Sequence, residues 1–124
     1  MKDAKYLILY VDDDPDLLEA TRLRLEKAGY AVATASSAEE GLKAYKAKTP
    51  DFILVDLMME EVDAGTNLVK ELRLLGNQAP VYVLSSVGDQ LNQITNYAEL
   101  GLQGVFQKPV NFDSLVRTLK SKLG

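Results

Sequence analysis

The chain contains no cysteine and no histidine. Without cysteine there is neither a disulfide framework nor thiolate metal ligation. Without histidine the commonest transition-metal ligand and the usual general base are missing, and no phosphoryl group can be donated from an imidazole. A dense basic stripe is lacking as well. Fourteen Lys and Arg stand against 18 Asp and Glu, for a formal charge of -4 and a pI near 4.8. The cations are scattered over several segments, which argues against nucleic acid as a direct partner. No run approaches the length needed to cross a bilayer, and "MKDAKYLILY" has neither the apolar core nor the cleavage site of a signal peptide. A cytoplasmic protein without a membrane partner is the expectation. Its chemistry must run on carboxylates, hydroxyls and lysines.

What is there reads as one domain over residues 1–124, long enough to bury roughly two-thirds of the surface that an unfolded chain exposes. Two hydrophobic rhythms alternate. "YLILYV" (6–11), "AVATA" (31–35), "DFILVD" (51–56), "PVYVLS" (80–85) and "GVFQK" (104–108) are short and rich in β-branched or aromatic residues, as strands are. The first, third and fourth are nearly continuous apolar runs, which predicts burial on both faces of a parallel sheet.

Between them lie helical patterns with recognisable ends. Asp14 suits an N-cap and Pro15 a first helical position, Leu18, Thr21, Leu25 and Ala28 share a face, and Gly29 ends the pattern. Ser36 with Glu39, or Ser37 with Glu40, can form a capping box ahead of Leu42 and Tyr45. Leu68, Leu72 and Leu75 repeat helically before Gly76. Leu91, Ile94 and Ala98 do so before Gly101, on a thinner apolar face. A last helix, capped near Asn111, buries Phe112, Leu115, Val116 and Leu119. Five βα units with short connections predict right-handed crossovers onto an open, five-stranded parallel α/β sheet.

In such a sheet all strands point the same way, so residues just past their C-terminal ends gather on one edge, where ligands bind. Strand one ends in Asp12 and Asp13, strand three in Asp56, strand four in Ser85 and Ser86, and strand five in Lys108. Carboxylates crowded together there are tolerable if a hard divalent cation sits among them. Mg2+ takes oxygen ligands and keeps several waters while binding one or two carboxylates. An ionised carboxylate beside it can attack phosphorus without a general base, and phosphoryl transfer needs little more than in-line positioning and charge stabilisation on the equatorial oxygens.

"VDDDP", "VDLMM", "LSS" and "KPV", each at the end of its strand, resemble the receiver domain of two-component response regulators, across essentially the whole chain. The resemblance implies the flavodoxin-like strand order 2-1-3-4-5 with helices on both faces. It implies Asp56 as phosphoacceptor, Asp13 as a direct Mg2+ ligand, Asp12 acting largely through a metal-bound water, and the backbone carbonyl of Met58 as a further ligand. Ser85 becomes the switch hydroxyl and Lys108 the phosphoryl-sensing lysine, followed by a cis peptide to Pro109. The partners implied are a sensor histidine kinase or a histidine phosphotransfer protein, and an output protein. The chain is then a monomer or weak dimer and no enzyme beyond its own phosphorylation and dephosphorylation.

Departures from the pattern carry expectations too. Glu60 and Glu61 replace the family's Pro-Gly, and the loop to Gly65 is one residue longer. Val105 stands where the family has Tyr or Phe, and Phe106 beside it belongs to the opposite face. An aromatic rotamer switch is therefore not expected, and the signal is left to movement of the fourth helix, the fifth strand and the last helix. Apolar Met58 and Val87 imply slow self-dephosphorylation. Alternative readings are a degenerate receiver acting only through protein contacts, a Mg2+-dependent phosphohydrolase with an aspartate nucleophile, and a flavin carrier, against which the acidic first loop argues.

Overall fold

The computed structural model describes residues 5–56, 64–86, 102–108 and 110–123. Strands β1 (Leu7–Val11), β2 (Ala31–Ala35), β3 (Phe52–Asp56), β4 (Val81–Ser86) and β5 (Leu102–Lys108) pair in parallel in the order β2-β1-β3-β4-β5. The helices described are α1 (Pro15–Lys27), α2 (Ala38–Ala47), α3 (Ala64–Leu74) and α4 (Phe112–Leu123). The predicted helix carrying Leu91, Ile94 and Ala98 lies outside the described residues.

The sheet has two covered faces because successive side chains of a strand point to opposite sides. Leu9, Val11, Ile53, Val55, Val81 and Val83 meet Leu68, Val69 and Leu72 of α3, with Leu42 and Tyr45 of α2 packed alongside. Ile8, Tyr10, Phe52, Leu54, Tyr82 and Leu84 meet Leu18 and Leu25 of α1 and Leu115 and Leu119 of α4. β1 and β3 are buried along their whole length, as their unbroken apolar runs predict, whereas edge strand β2 is only partly covered. Each fully buried aliphatic or aromatic side chain contributes roughly 1.5–3 kcal/mol.

Local chemistry sets the helix ends. Asp14 accepts from the N–H groups of Asp16 and Leu17 with Pro15 behind it, and Gly29 takes φ +103° after the last turn of α1. Of the two possible capping boxes it is the Ser37–Glu40 pair that forms. Ser37 Oγ accepts from Glu40 N–H at 3.1 Å, while the Glu40 carboxylate reaches one residue further back, to the N–H and hydroxyl of Ser36.

Two expectations are corrected. Leu75 does not join the buried face of α3: the helix ends at Leu74, the chain turns at Gly76 with φ +82°, and Leu75 is 46% exposed. β5 starts at Leu102, two residues before the predicted start, because the pairing with β4 jumps from Val81–Leu102 to Tyr82–Gly104. The bulge leaves Gln103 between paired neighbours, which breaks the alternation by which a strand is read.

Candidate functional site

In the β1–β3 pair Val11 lies opposite Val55. One further step along both strands brings Asp12 beside Asp56, on neighbours about 4.8 Å apart. Asp56 is the last residue of β3. Asp12 follows β1 and is held there by its N–H to the carbonyl of Ala35 at 3.0 Å, which carries the β1–β2 ladder one residue onward.

The three consecutive aspartates do three different things. Asp12 is fully buried and its Oδ1 accepts from the N–H of Asp14 at 3.0 Å, which turns the chain out of the sheet. Asp14 caps α1. Asp13, between them, reaches solvent and offers its carboxylate to the same space as Asp12 and Asp56.

Oxygens from Asp12, Asp13 and Asp56 all lie within 4.8 Å of one another. Two oxygens bound to one Mg2+ at about 2.1 Å are at most about 4.2 Å apart. The set thus fits one small hard cation with a slight closing or one bridging water, and its all-oxygen chemistry is the kind that such an ion takes. Asp12 and Asp56 are 0% and 1% exposed. A pair of like charges about 5 Å apart costs on the order of 3 kcal/mol at an effective dielectric of 20. Hydrogen bonding offsets part of this for Asp12, and both residues make further interactions.

One partner of Asp12 is Tyr10, whose hydroxyl donates to Oδ2 at 2.5 Å. Burial first, then this bond and the nearby Asp12 and Asp56 charges, holds the Tyr10 phenol far above the ordinary tyrosine range. In the sequence Tyr10 reads as one more residue of an apolar strand. The available signal was its spacing: residues two apart on an extended chain share a side, so a hydroxyl at 10 faces a carboxylate at 12.

The remaining predicted residues are placed by the backbone. Asp56 pairs with Leu84, so Ser85 comes one step beyond, and Ser86 pairs with Lys108, the last residue of β5. Ser85 and Lys108 therefore stand on the same edge as the carboxylates; the structure describes their backbone alone. Gly65 falls in the first turn of α3. Met58, Glu60, Glu61, Val87 and Pro109 lie outside the described residues. Val105 packs on the α2–α3 side and Phe106 on the α1–α4 side, as alternation requires.

The model of the response regulator receiver domain matches residues 8–120. The chain belongs to that family. Among curated relatives of this receiver, the transcriptional regulatory protein GlrR of Escherichia coli is 37% identical over 119 residues, 94% of this chain and 26% of that protein. The alkaline phosphatase synthesis transcriptional regulatory protein PhoP of Bacillus subtilis is 33% identical over 102 residues, 82% of this chain and 42% of that protein. The receiver thus spans less than half the length of either. Among solved structures, the chemotaxis response regulator CheY4 of Vibrio cholerae superposes with a TM-score of 0.84 at 27% identity, covering 97% of this chain and 100% of that one. A CheY-like receiver domain protein of Methanospirillum hungatei gives 0.86 at 28% identity over 97% and 94% of the two chains. Receivers are signalling modules with an acidic Mg2+ pocket, and the three aspartates form an acidic cluster of that kind. Among the described residues no helix is long and apolar enough to cross a membrane.

Proposed function

We propose that this receiver accepts a phosphoryl group on Asp56 and passes the event on through altered protein contacts. The observation that carries the reading is the convergence of the Asp12, Asp13 and Asp56 oxygens within 4.8 Å at the C-terminal edge of the sheet. Asp13 and Asp56 would hold Mg2+ directly, Asp12 largely through a water, and the carbonyl of Met58 would complete the protein ligands. When bound, the ion would offset charge on a phosphoryl oxygen.

The residues of the chain do the rest. An ionised Asp56 oxygen attacks phosphorus, a phosphorus–oxygen bond forms, and the bond from phosphorus to the donor's imidazole nitrogen breaks with its electron pair leaving on the nitrogen. Lys108 and Ser85 neutralise and hydrogen-bond two of the equatorial oxygens. Water later attacks the same phosphorus and frees inorganic phosphate, which restores Asp56.

The donor is a sensor histidine kinase or a histidine phosphotransfer protein, met in the cytoplasm, and the recipient of the signal is an output protein. Residues 1–124 act as one receiver unit, a monomer or weak dimer. The deciding experiment is mass spectrometry after incubation with acetyl phosphate and Mg2+. One phosphoryl group is expected on the wild type and none on Asp56→Asn; a phosphorylated Asp56→Asn chain, or an unmodified wild type, sinks the reading.

A further inference from the structure

Tyr10 is fully buried in the middle of the sheet, among apolar side chains that include Ile8, Leu54 and Leu84, with the buried Thr21 hydroxyl of α1 close to its own. A phenylalanine would fill the same volume, so the hydroxyl is what distinguishes the position. That hydroxyl donates to Asp12 Oδ2, while Asp12 Oδ1 accepts from the N–H of Asp14 at 3.0 Å. One donor comes from inside the sheet and one from the loop that leaves it, and together they fix the plane of the carboxylate. Orientation matters here because carboxylates assist a cation only when their oxygens converge, and groups that hold a ligating or near-ligating side chain govern metal affinity.

We propose that Tyr10 is a positioning residue of the acidic cluster: its buried hydroxyl keeps the Asp12 carboxylate turned toward Asp13 and Asp56, so that the pocket is preformed for a divalent cation. This rests on the reading of the cluster as a Mg2+ pocket. Tyr10 itself touches neither the ion nor the phosphoryl group.

The test titrates Mg2+ alone into the wild type and Tyr10→Phe, by calorimetry and by near-ultraviolet tyrosine absorbance. The expected result is a wild-type tyrosine difference spectrum on binding, which Tyr10→Phe lacks, and an affinity about tenfold or more weaker in the variant with its helical circular dichroism intact. Equal or tighter binding by Tyr10→Phe overturns the proposal. So does a wild type whose calorimetry reports binding while its tyrosine absorbance stays unchanged, a readout that also decides the matter should the variant fail to fold. Absence of any Mg2+ binding by the wild type is a different failure, since it removes the pocket reading first and the positioning role with it.

Discussion

At the residue scale, the run of three aspartates after β1 divides into a buried anchor, a projecting carboxylate and an exposed helix cap. Repulsion among Asp12, Asp13 and Asp56 destabilises the metal-free protein, and the exposure of Asp13 weakens its share through solvent screening. Asp13→Asn is therefore expected to melt a few degrees above the wild type in the presence of a chelator. Saturating Mg2+ at about 100 times its Kd is expected to raise wild-type stability by about 2.7 kcal/mol, and to do far less for the variant. Paired thermal melts check both; a variant less stable than the wild type in chelator contradicts the electrostatic account. The meeting of Asp12 and Asp13 with Asp56 was legible because a parallel sheet forces strand ends together, whichever order the strands take. The Tyr10–Asp12 bond is signalled only by the two-residue spacing, since an apolar run by itself does not mark which of its hydroxyls has a buried acceptor.

At the scale of elements, α2 lies close to the sheet at Gly41. Gly41 is its one buried residue, and a Cβ there would stand 2.8 Å from Val11 Cγ2 and 3.3 Å from Leu68 Cδ2. Alanine favours a helix by about 1 kcal/mol over glycine, but the β-branched Val11 has little freedom to move aside. Overpacking is expected to win. Gly41→Ala should lose about 1–2 kcal/mol net, read as a lower midpoint in urea with an unchanged slope.

The same helix carries a pH-dependent cap. Hydrogen bonds from the N–H and hydroxyl of Ser36 hold the Glu40 carboxyl below the usual 4.5. A depressed carboxylate favours the folded state above its unfolded pKa, and that contribution is lost as the pH falls below about 4.5 and through the folded value. Carbon-detected NMR should find Glu40 titrating low, with Ser36→Ala moving it back up. Capping pairs of this kind can be read from spacing, and the only ambiguity, Ser36–Glu39 against Ser37–Glu40, concerned which turn closes first. Leu75 misled because helical spacing continues past a helix end; the break comes from Gly76, whose left-handed backbone no periodicity records.

On the scale of the whole molecule, the sheet separates two cores, and the candidate site stands where the strands run out between them. The fold was legible almost in full, since unbroken apolar runs mark central strands and alternation assigns each residue to a face. The bulge in β5 was hidden because it needs the register with β4 to be seen at all. Val105 packs beside Val83 on the α2–α3 side, and its short branched side chain gives no long lever for an aromatic-type swing. An aromatic swing at position 105 is therefore not available to this chain.

The N-terminal rim of the sheet is tied down by Leu7 and Asp51, which exchange two hydrogen bonds of 2.8 Å, and by the turn where Asn77 bonds Ala79 in both directions. Asp12 lies five steps along the chain from Leu7 at that rim, a distance of about 17 Å. Gln78 is exposed on this turn, and in a chain devoid of thiols Gln78→Cys creates a solitary attachment point for a dye or a solid support. The protein thus offers a handle at one pole and its acidic cluster at the other, so that a tethered or fluorescent form can be made without crowding the three carboxylates.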